Sequence, residues 1–224
     1  MSDRREVAPL VIIGAGGHGA EIAAYAQDMN VPLAGAFDDG KPAGSWHVTK
    51  LIGRLDELPQ FCGKHAQVHY ITAFGSNSVR RQMVRRIEAM GMPNLTPYTL
   101  RHSSAWTGAG VEIDAGTLLA PNTLATTRVK IGAHCILNVK ASVSHDCVVE
   151  DFCNINPGAT ICGDVRLGEG CYIGAGAIVI EKRKIGAWSV IGAGSVVTQD
   201  MPEGVTAVGV PARIITRHGG PTSP

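Results

Sequence analysis

Eight histidines are spread over the 224 residues, and one has the neighbour that acid–base chemistry asks for. His145 is followed directly by Asp146. A neutral imidazole takes up a proton near physiological pH, and an adjacent carboxylate can fix its tautomer and stabilise the imidazolium that forms. The pair is the candidate general base with its orienting partner. A solvated surface histidine is the plain alternative, and it is the reading given to His134 and His218. A second constellation opens the chain, where GAGGHG spans Gly14 to Gly19. Gly14, Gly16 and Gly17 can let a phosphate approach the backbone, and a helix starting there would present free N–H groups to it. His18 can contact phosphate or sugar in that loop, or merely cap the helix. Asp38 and Asp39 can hold a ribose or base, or simply end a strand.

The element that carries His145 is a repeat of six. Stepping by six from Ile113, the chain reads Leu119, Ala125, Ile131, Leu137, Val143, Val149 and Ile155. It continues with Ile161, Leu167, Ile173, Val179, Ile185, Ile191 and Val197. All fifteen are apolar, which chance allows about once in ten thousand sequences of this composition. Neither a strand nor a helix sustains that period. Small or β-branched residues recur two positions before the anchors, Arg183 excepted, and Gly132, Gly168, Gly174, Gly186 and Gly192 follow them. Those glycines are read as tolerating left-handed turns. Flat faces joined by tight corners, three per coil of eighteen residues, predict a triangular solenoid of about five coils. His145 lies two residues past an anchor and so points outward.

The first hundred residues predict a small βαβ unit. Strands are expected at Pro9–Ile13, Leu33–Phe37 and His69–Ala73. Helices are expected from the glycine loop to about Asp28 and from about Ser76 to Met90. Arg80, Arg81, Arg85 and Arg86 are placed on the polar side of the second helix, and Met92 to Trp106 is read as the bridge into the solenoid. Gly14, Gly16 and Gly19 fit GxGxxG, with Asp38 nineteen residues on, so a nicotinamide oxidoreductase must be weighed. This unit holds only about one mononucleotide-binding half, and a nucleotide-sugar pyrophosphate satisfies the same backbone logic without NAD.

With 20 basic and 19 acidic residues the net charge is +1, too little for a broad field that grips nucleic acid or anionic lipid. The mixed-charge opening MSDRRE and the short apolar run after it suit neither a signal peptide nor membrane insertion, so a cytoplasmic protein is expected. The six cysteines show no CxxC and no metal-ligand spacing. Cys135, Cys153 and Cys171 are eighteen apart, and stack either as small hydrophobes or as a thiol ladder for metal or redox work; no metal is expected.

The segment VIIGAGGHGAEIA, the run from His145 to Val179 and the ending GSVVTQDMPEGVTAVGVPARII together resemble the bacterial sugar O- and N-acetyltransferases of the hexapeptide-repeat class. The resemblance covers about residues 9 to 215. It implies an α/β N-terminal Rossmann-like half-domain over 1–102, a left-handed parallel β-helix over 103–200, and a C-terminal cap and tail over 201–224. Acetyl-CoA would be the co-substrate, and the enzyme a homotrimer with active sites between neighbouring subunits, serving glycan biosynthesis. The acceptor would be a nucleotide-linked amino sugar, or alternatively sialic acid O-acetylated by the same residues. A non-catalytic, nucleotide-sensing scaffold is the reading outside enzymology.

The resemblance also implies site residues. The family places its base at the His145–Asp146 pair. Gly163, one coil beyond His145, would offer its N–H to the oxyanion, or be a plain corner glycine. Asn138 matches an asparagine that the family keeps near its base, with turn formation as the alternative. Asn154 stands where relatives often carry a second histidine in contact with acetyl-CoA. Ala175, Ala193 and Pro211, spaced by eighteen, would form a track for the CoA arm. Arg213 would meet a CoA phosphate, as would Lys182, Arg183 or Lys184 unless that corner is merely solvated.

Overall fold

An apolar run without polar interruption sits between two layers, and β1 (Leu10–Ile13) is buried along its whole length. The computed structural model describes residues 8–218; MSDRRE and the last six residues of the tail lie outside the described residues. β1 runs parallel to β2 (Leu33–Phe37) on one side. On its other side it runs parallel to β5 (Val68–Thr72). Between β1 and β2 the chain forms α1 (Gly17–Asp28), which buries Ile22, Ala23 and Ala26.

The sheet is larger than the three strands expected. β3 (Gly44–Trp46) and β4 (Thr49–Gly53) pair antiparallel, and the full order is β3-β4-β2-β1-β5-β6, with β6 at Leu95–Pro97. The β3–β4 turn is His47-Val48 with His47 at φ 45°, and lacks the Asn-Gly or Asp-Gly dipeptide that announces a hairpin. β6 falls within the stretch expected as a bridge; three residues ending in proline carry little strand signal. A short α2 (Leu58–Cys62) completes this layer, with Leu58 and Cys62 packed beside Phe37 and Val68. By its contacts, this unit comprises the described residues up to 74 together with 83–98, and the other comprises 75–82 with 99–218. α3 (Asn77–Ala89) thus belongs to the second unit in its first half.

The second unit is a left-handed parallel β-helix. Two-residue strands pair in register every eighteen residues, as in Leu118↔Ile136, Ser142↔Thr160 and Val148↔Arg166. From Ala125 onward every six-step anchor is buried. The prism begins a coil earlier than the repeat shows, with Leu100–Arg101 and Trp106–Thr107 already paired to the next coil. There the anchor positions carry Arg101 and Thr107, so periodicity alone was blind to that coil.

The left-handed corner residues lie three past the anchors, as at Arg128, His134, Lys140, Asp146 and Phe152. The glycines just after the anchors have another reason, which corrects the turn reading. A Cβ at Gly168 would stand 2.7 Å from the Ala187 nitrogen, and one at Gly174 would stand 2.5 Å from that of Ala193. Close approach of the next coil excludes a side chain.

The last rung also departs from the repeat. Val190 pairs with Thr206 and Ile191 with Ala207, a step of sixteen. The chain then turns back through an antiparallel hairpin, Val205–Gly209 with Ala212–Arg217. Cys135, Cys153 and Cys171 are buried and their thiols donate to the carbonyls of Glu150, Gly168 and Gly186, each at 3.2 Å. Burial pushes Cys135 and Cys153 well above the usual thiol range, which fits packed hydrophobes rather than reactive groups.

Two residues read as solvated are buried here. Arg80 is 1% exposed. Its Nε donates to the His134 carbonyl at 2.8 Å and its Nη2 to the Phe152 carbonyl at 2.7 Å. Those carbonyls belong to left-handed corners stacked one coil apart, and a planar guanidinium spans them. Desolvation lowers Arg80 to about 10, so it stays cationic at neutral pH. His134 stacks on Phe152 with ring centroids 5.4 Å apart. Burial, then the Arg80 charge, lowers its imidazole to about 4. No helix among the described residues is long and apolar enough to cross a membrane.

Arg80→Ala leaves two buried carbonyls without their donor and empties the guanidinium's space. The expected loss is about 3 kcal/mol, or roughly 6–12 °C in Tm for a chain of this size, measured by thermal unfolding.

Candidate active site

His145 stands on a prism corner because Val143 turns inward as a buried anchor and the chain bends at Asp146, φ 63°. Aspartate is among the few residues that tolerate this conformation. The His145 side chain is 58% exposed, and its Nδ1 lies 2.7 Å from Asp146 Oδ2. An ionised carboxylate only accepts, so Nδ1 carries the proton and Nε2 is left with its lone pair.

Asp146 is held in turn from the coil before. Arg128 Nε donates to Oδ1 at 2.6 Å and Nη2 to Oδ2 at 2.9 Å. This two-bond fork is the strong form of an arginine–carboxylate contact. It pulls the Asp146 carboxyl down to about 2, with the bond from His145 contributing second. Arg128 was not among the residues singled out from the sequence, although it stands eighteen before Asp146.

On the coil after, Gly163 lies against the imidazole. A Cβ there would stand 2.5 Å from His145 Cε1 and 2.6 Å from Nε2, so only glycine leaves the ring its place. The Gly163 carbonyl accepts from the Lys182 amide at 2.9 Å, and among the described residues its own N–H donates to no backbone carbonyl. The structure thus brings His145, Asp146 and Gly163 together, as their spacing predicts. Asn138 lies on the preceding corner. Its Oδ1 accepts from the Val139 amide at 2.7 Å and its carbonyl from that of Ala141 at 2.9 Å, the contacts of a turn former.

The residues expected along CoA are dispersed. Asn154 is 2% exposed and donates to the Gly75 carbonyl at 2.6 Å. Its amide anchors the start of the 75–82 segment, a buried role that replaces the open contact expected. Ala175 and Ala193 are exposed and stacked, with the Gly194 amide donating to the Ala175 carbonyl at 2.8 Å. Pro211 is not in their column. The sixteen-residue step of the last rung carries it into the terminal hairpin, and spacing by eighteen no longer means stacking there. Arg213 lies on that hairpin with Nη1 on the Ala212 carbonyl at 3.0 Å.

In the first unit the glycines divide by function. Gly14 sits at φ +103° against Phe74, and a Cβ on Gly19 would stand 2.3 Å from the Gly14 carbonyl oxygen. Both serve the packing of α1 on its loop. At Gly16 and Gly17 a Cβ would meet nothing within 4 Å, so the open face of the loop and the first turn of α1 are where an anion can approach. His18 does not cap the helix; its Nδ1 lies 3.2 Å from Glu21 Oε2. Asp38 accepts from the Ala15 amide at 2.7 Å and the Gly40 amide at 2.9 Å. Asp39 accepts from the Leu55 amide at 2.9 Å and from Arg86 at 2.6 Å. Those bonds, the backbone one first, hold its carboxyl below the usual range. Both aspartates tie loops at the end of β2. Lys41, unremarked in the sequence, reaches the same loop through Nζ on the Ala15 carbonyl.

Comparisons with known proteins bear on the family and the fold. The family model described as the PglD N-terminal domain matches residues 9–87, and that of the bacterial transferase hexapeptide (six repeats) matches residues 164–199. A GDP-perosamine N-acetyltransferase from Caulobacter crescentus was solved as a histidine-to-alanine variant with CoA and GDP-perosamine. It is 28% identical, with 94% of this chain and 98% of that chain covered and a TM-score of 0.88. The acetyltransferase domain of PglB from Neisseria gonorrhoeae is 30% identical over 92% of this chain and 99% of that one, TM-score 0.77. WeeI from Acinetobacter baumannii is 29% identical over 92% and 99%, TM-score 0.81. The chain belongs to the hexapeptide-repeat sugar acetyltransferases with a PglD-type N-terminal domain.

Gly163→Ala puts a methyl where the imidazole lies and displaces the ring. Steady-state kinetics should show kcat lowered about a hundredfold, the order that a misplaced reacting group costs, with the fold intact by circular dichroism.

Proposed function

We propose that this enzyme transfers the acetyl group of acetyl-CoA to the amino group of a nucleotide-linked sugar, a 4-amino-4,6-dideoxy sugar, with His145 as general base. The observation that carries the reading is the His145–Asp146 pair set over Gly163, with Nδ1 engaged and Nε2 open. The acceptor nitrogen attacks the thioester carbonyl carbon and loses its proton to Nε2. Asp146 supports the imidazolium. The N–H of Gly163 faces the oxyanion, and collapse expels the CoA thiolate, which takes the proton back from His145.

Relatives support the two substrates. The Caulobacter crescentus enzyme was solved with CoA and GDP-perosamine, and the Neisseria gonorrhoeae domain with acetyl coenzyme A. In this chain the nucleotide would lie at the open face of Gly16 and Gly17, within the 1–102 domain, and acyl transfer would belong to the 103–200 domain. The CoA arm would use the stacked Ala175 and Ala193. The homotrimer of this reading is supported by one outward column of the prism. That column includes Trp106, Leu124 and Ile178, 54%, 44% and 38% exposed, with Ser142 and Thr160 between them; exposed large apolar residues of this kind are what self-association covers. A neighbouring subunit would then supply the missing wall beside the exposed His145.

His145→Ala should lower kcat by about two to four decades without unfolding the protein; near-normal turnover removes the base assignment. Thiol release from acetyl-CoA should be measured against UDP-, GDP- and dTDP-linked amino sugars, with sialic acid included. Turnover on an amino sugar supports the N-acetyl reading, and turnover on sialic acid alone replaces it with O-acetylation. Gly16→Val has room for its side chain and should fold normally. It should raise KM for the acceptor several-fold more than KM for acetyl-CoA, because it fills the anion's approach; the reverse pattern moves the nucleotide site elsewhere.

A further inference from the structure

Arg128 has no structural reason to be an arginine. It occupies a left-handed corner, φ 52°, where glycine, asparagine or aspartate is the easier residue. Its side chain is exposed, so it fills no core. What it does touch is Asp146, through both guanidinium bonds of a fork at 2.6 and 2.9 Å. Asp146 Oδ2 in turn accepts from His145 Nδ1 at 2.7 Å.

We propose that Arg128 is a positioning residue for the acid–base pair: it holds the Asp146 carboxylate against His145 and offsets that carboxylate's charge. The proposal rests on the reading of His145 as the general base. Two effects follow from one contact. The fork fixes the carboxylate plane, which an exposed aspartate alone would not keep. Its positive charge also offsets that of Asp146 beside the ring.

Other charged residues stand on the neighbouring corners. Asp146 neighbours the imidazole. Asp164, on the next coil, donates its amide to the His145 carbonyl at 2.8 Å. Glu181 stands one coil past Gly163 in the column of His145, and Lys182, beside it, donates its amide to the Gly163 carbonyl. Of these groups, the ones in side-chain contact with the pair are Asp146 on His145 and Arg128 on Asp146. Without Arg128 the balance turns further negative, the imidazolium is favoured, and the proton affinity of His145 rises.

The test compares Arg128→Gln and Arg128→Lys with the native enzyme by two readouts. One is the titration of the His145 ring by NMR in the free enzyme; the other is the pH dependence of kcat and kcat/KM with acetyl-CoA and the amino sugar that is turned over. Arg128→Gln should raise the ring's midpoint by about half a pH unit, and the acid limb of kcat/KM should move up with it, more at low salt than at high. Its plateau kcat should fall about three- to tenfold, because the carboxylate is no longer held. Arg128→Lys should restore the limb, since it returns the charge, but not the plateau, since it lacks the fork. An Arg128→Gln enzyme whose ring titration and acid limb both stay in place overturns the proposal. A shifted ring titration with an unmoved acid limb instead overturns His145 as the base, while the coupling of Arg128 to the pair stands.

Discussion

A backbone that returns to the same corner every eighteen residues is the constraint on which the site depends. The rungs are tied by main-chain bonds, among them Asp146 to the Thr127 carbonyl and Asp164 to that of His145. These bonds leave no freedom for a coil to slide, because a slip by one residue would send every buried anchor outward. The register therefore decides chemistry. It stacks Arg128, Asp146 and Asp164 on one line and His145 over Gly163 on the next. Side-chain geometry that other folds assemble from distant loops is set here by counting along the chain.

The same register gives the three outward faces separate fates. One is closed, with Leu118, Ile136 and Asn154 buried, and there the first half of α3 places Asn77 and Arg80 on the prism's carbonyls. Another carries Glu112, Lys130, Arg166 and Lys184, which suit water. The third carries Trp106, Leu124 and Ile178 with Ser142 and Thr160 between them. A solenoid coil has little choice about its inward residues, so the information that distinguishes one such protein from another lies in these outward columns.

That division explains what could be read in advance. The anchors are local and strictly periodic, so the prism, the outward direction of His145 and its stacking on Gly163 were legible from spacing. Arg80 was not. On a helix it looks like one polar residue among four arginines, and only the carbonyls of His134 and Phe152, far along the chain, make it a buried one. His134 was misjudged for the same reason, its ring being covered by stacking on Phe152. The first coil escaped because Arg101 and Thr107 stand at its anchor positions. Pro211 and Asn154 were misplaced for opposite causes, the one by a rung two residues short and the other by a face that the repeat does not show to be covered. Arg128 was reachable by the eighteen-residue count, but a charged corner residue gives no sign in sequence of what it touches.

Glycine does comparable work in both units, and the contrast between positions separates scaffold from site. At Gly19 a Cβ would collide with fixed backbone, and at Gly168 it would meet the next coil. Substitution there costs stability. At Gly163 the nearest atoms all belong to the His145 ring, and at Gly16 no atom of the described residues lies within 4 Å. In the reaction proposed above, the missing side chain at Gly163 leaves room for the base and that at Gly16 leaves the loop open to an anion. Exposure of the ring is the second criterion: a Cβ at Gly116 would meet the His134 ring in the same way, but that ring is buried, whereas His145 is open to solvent.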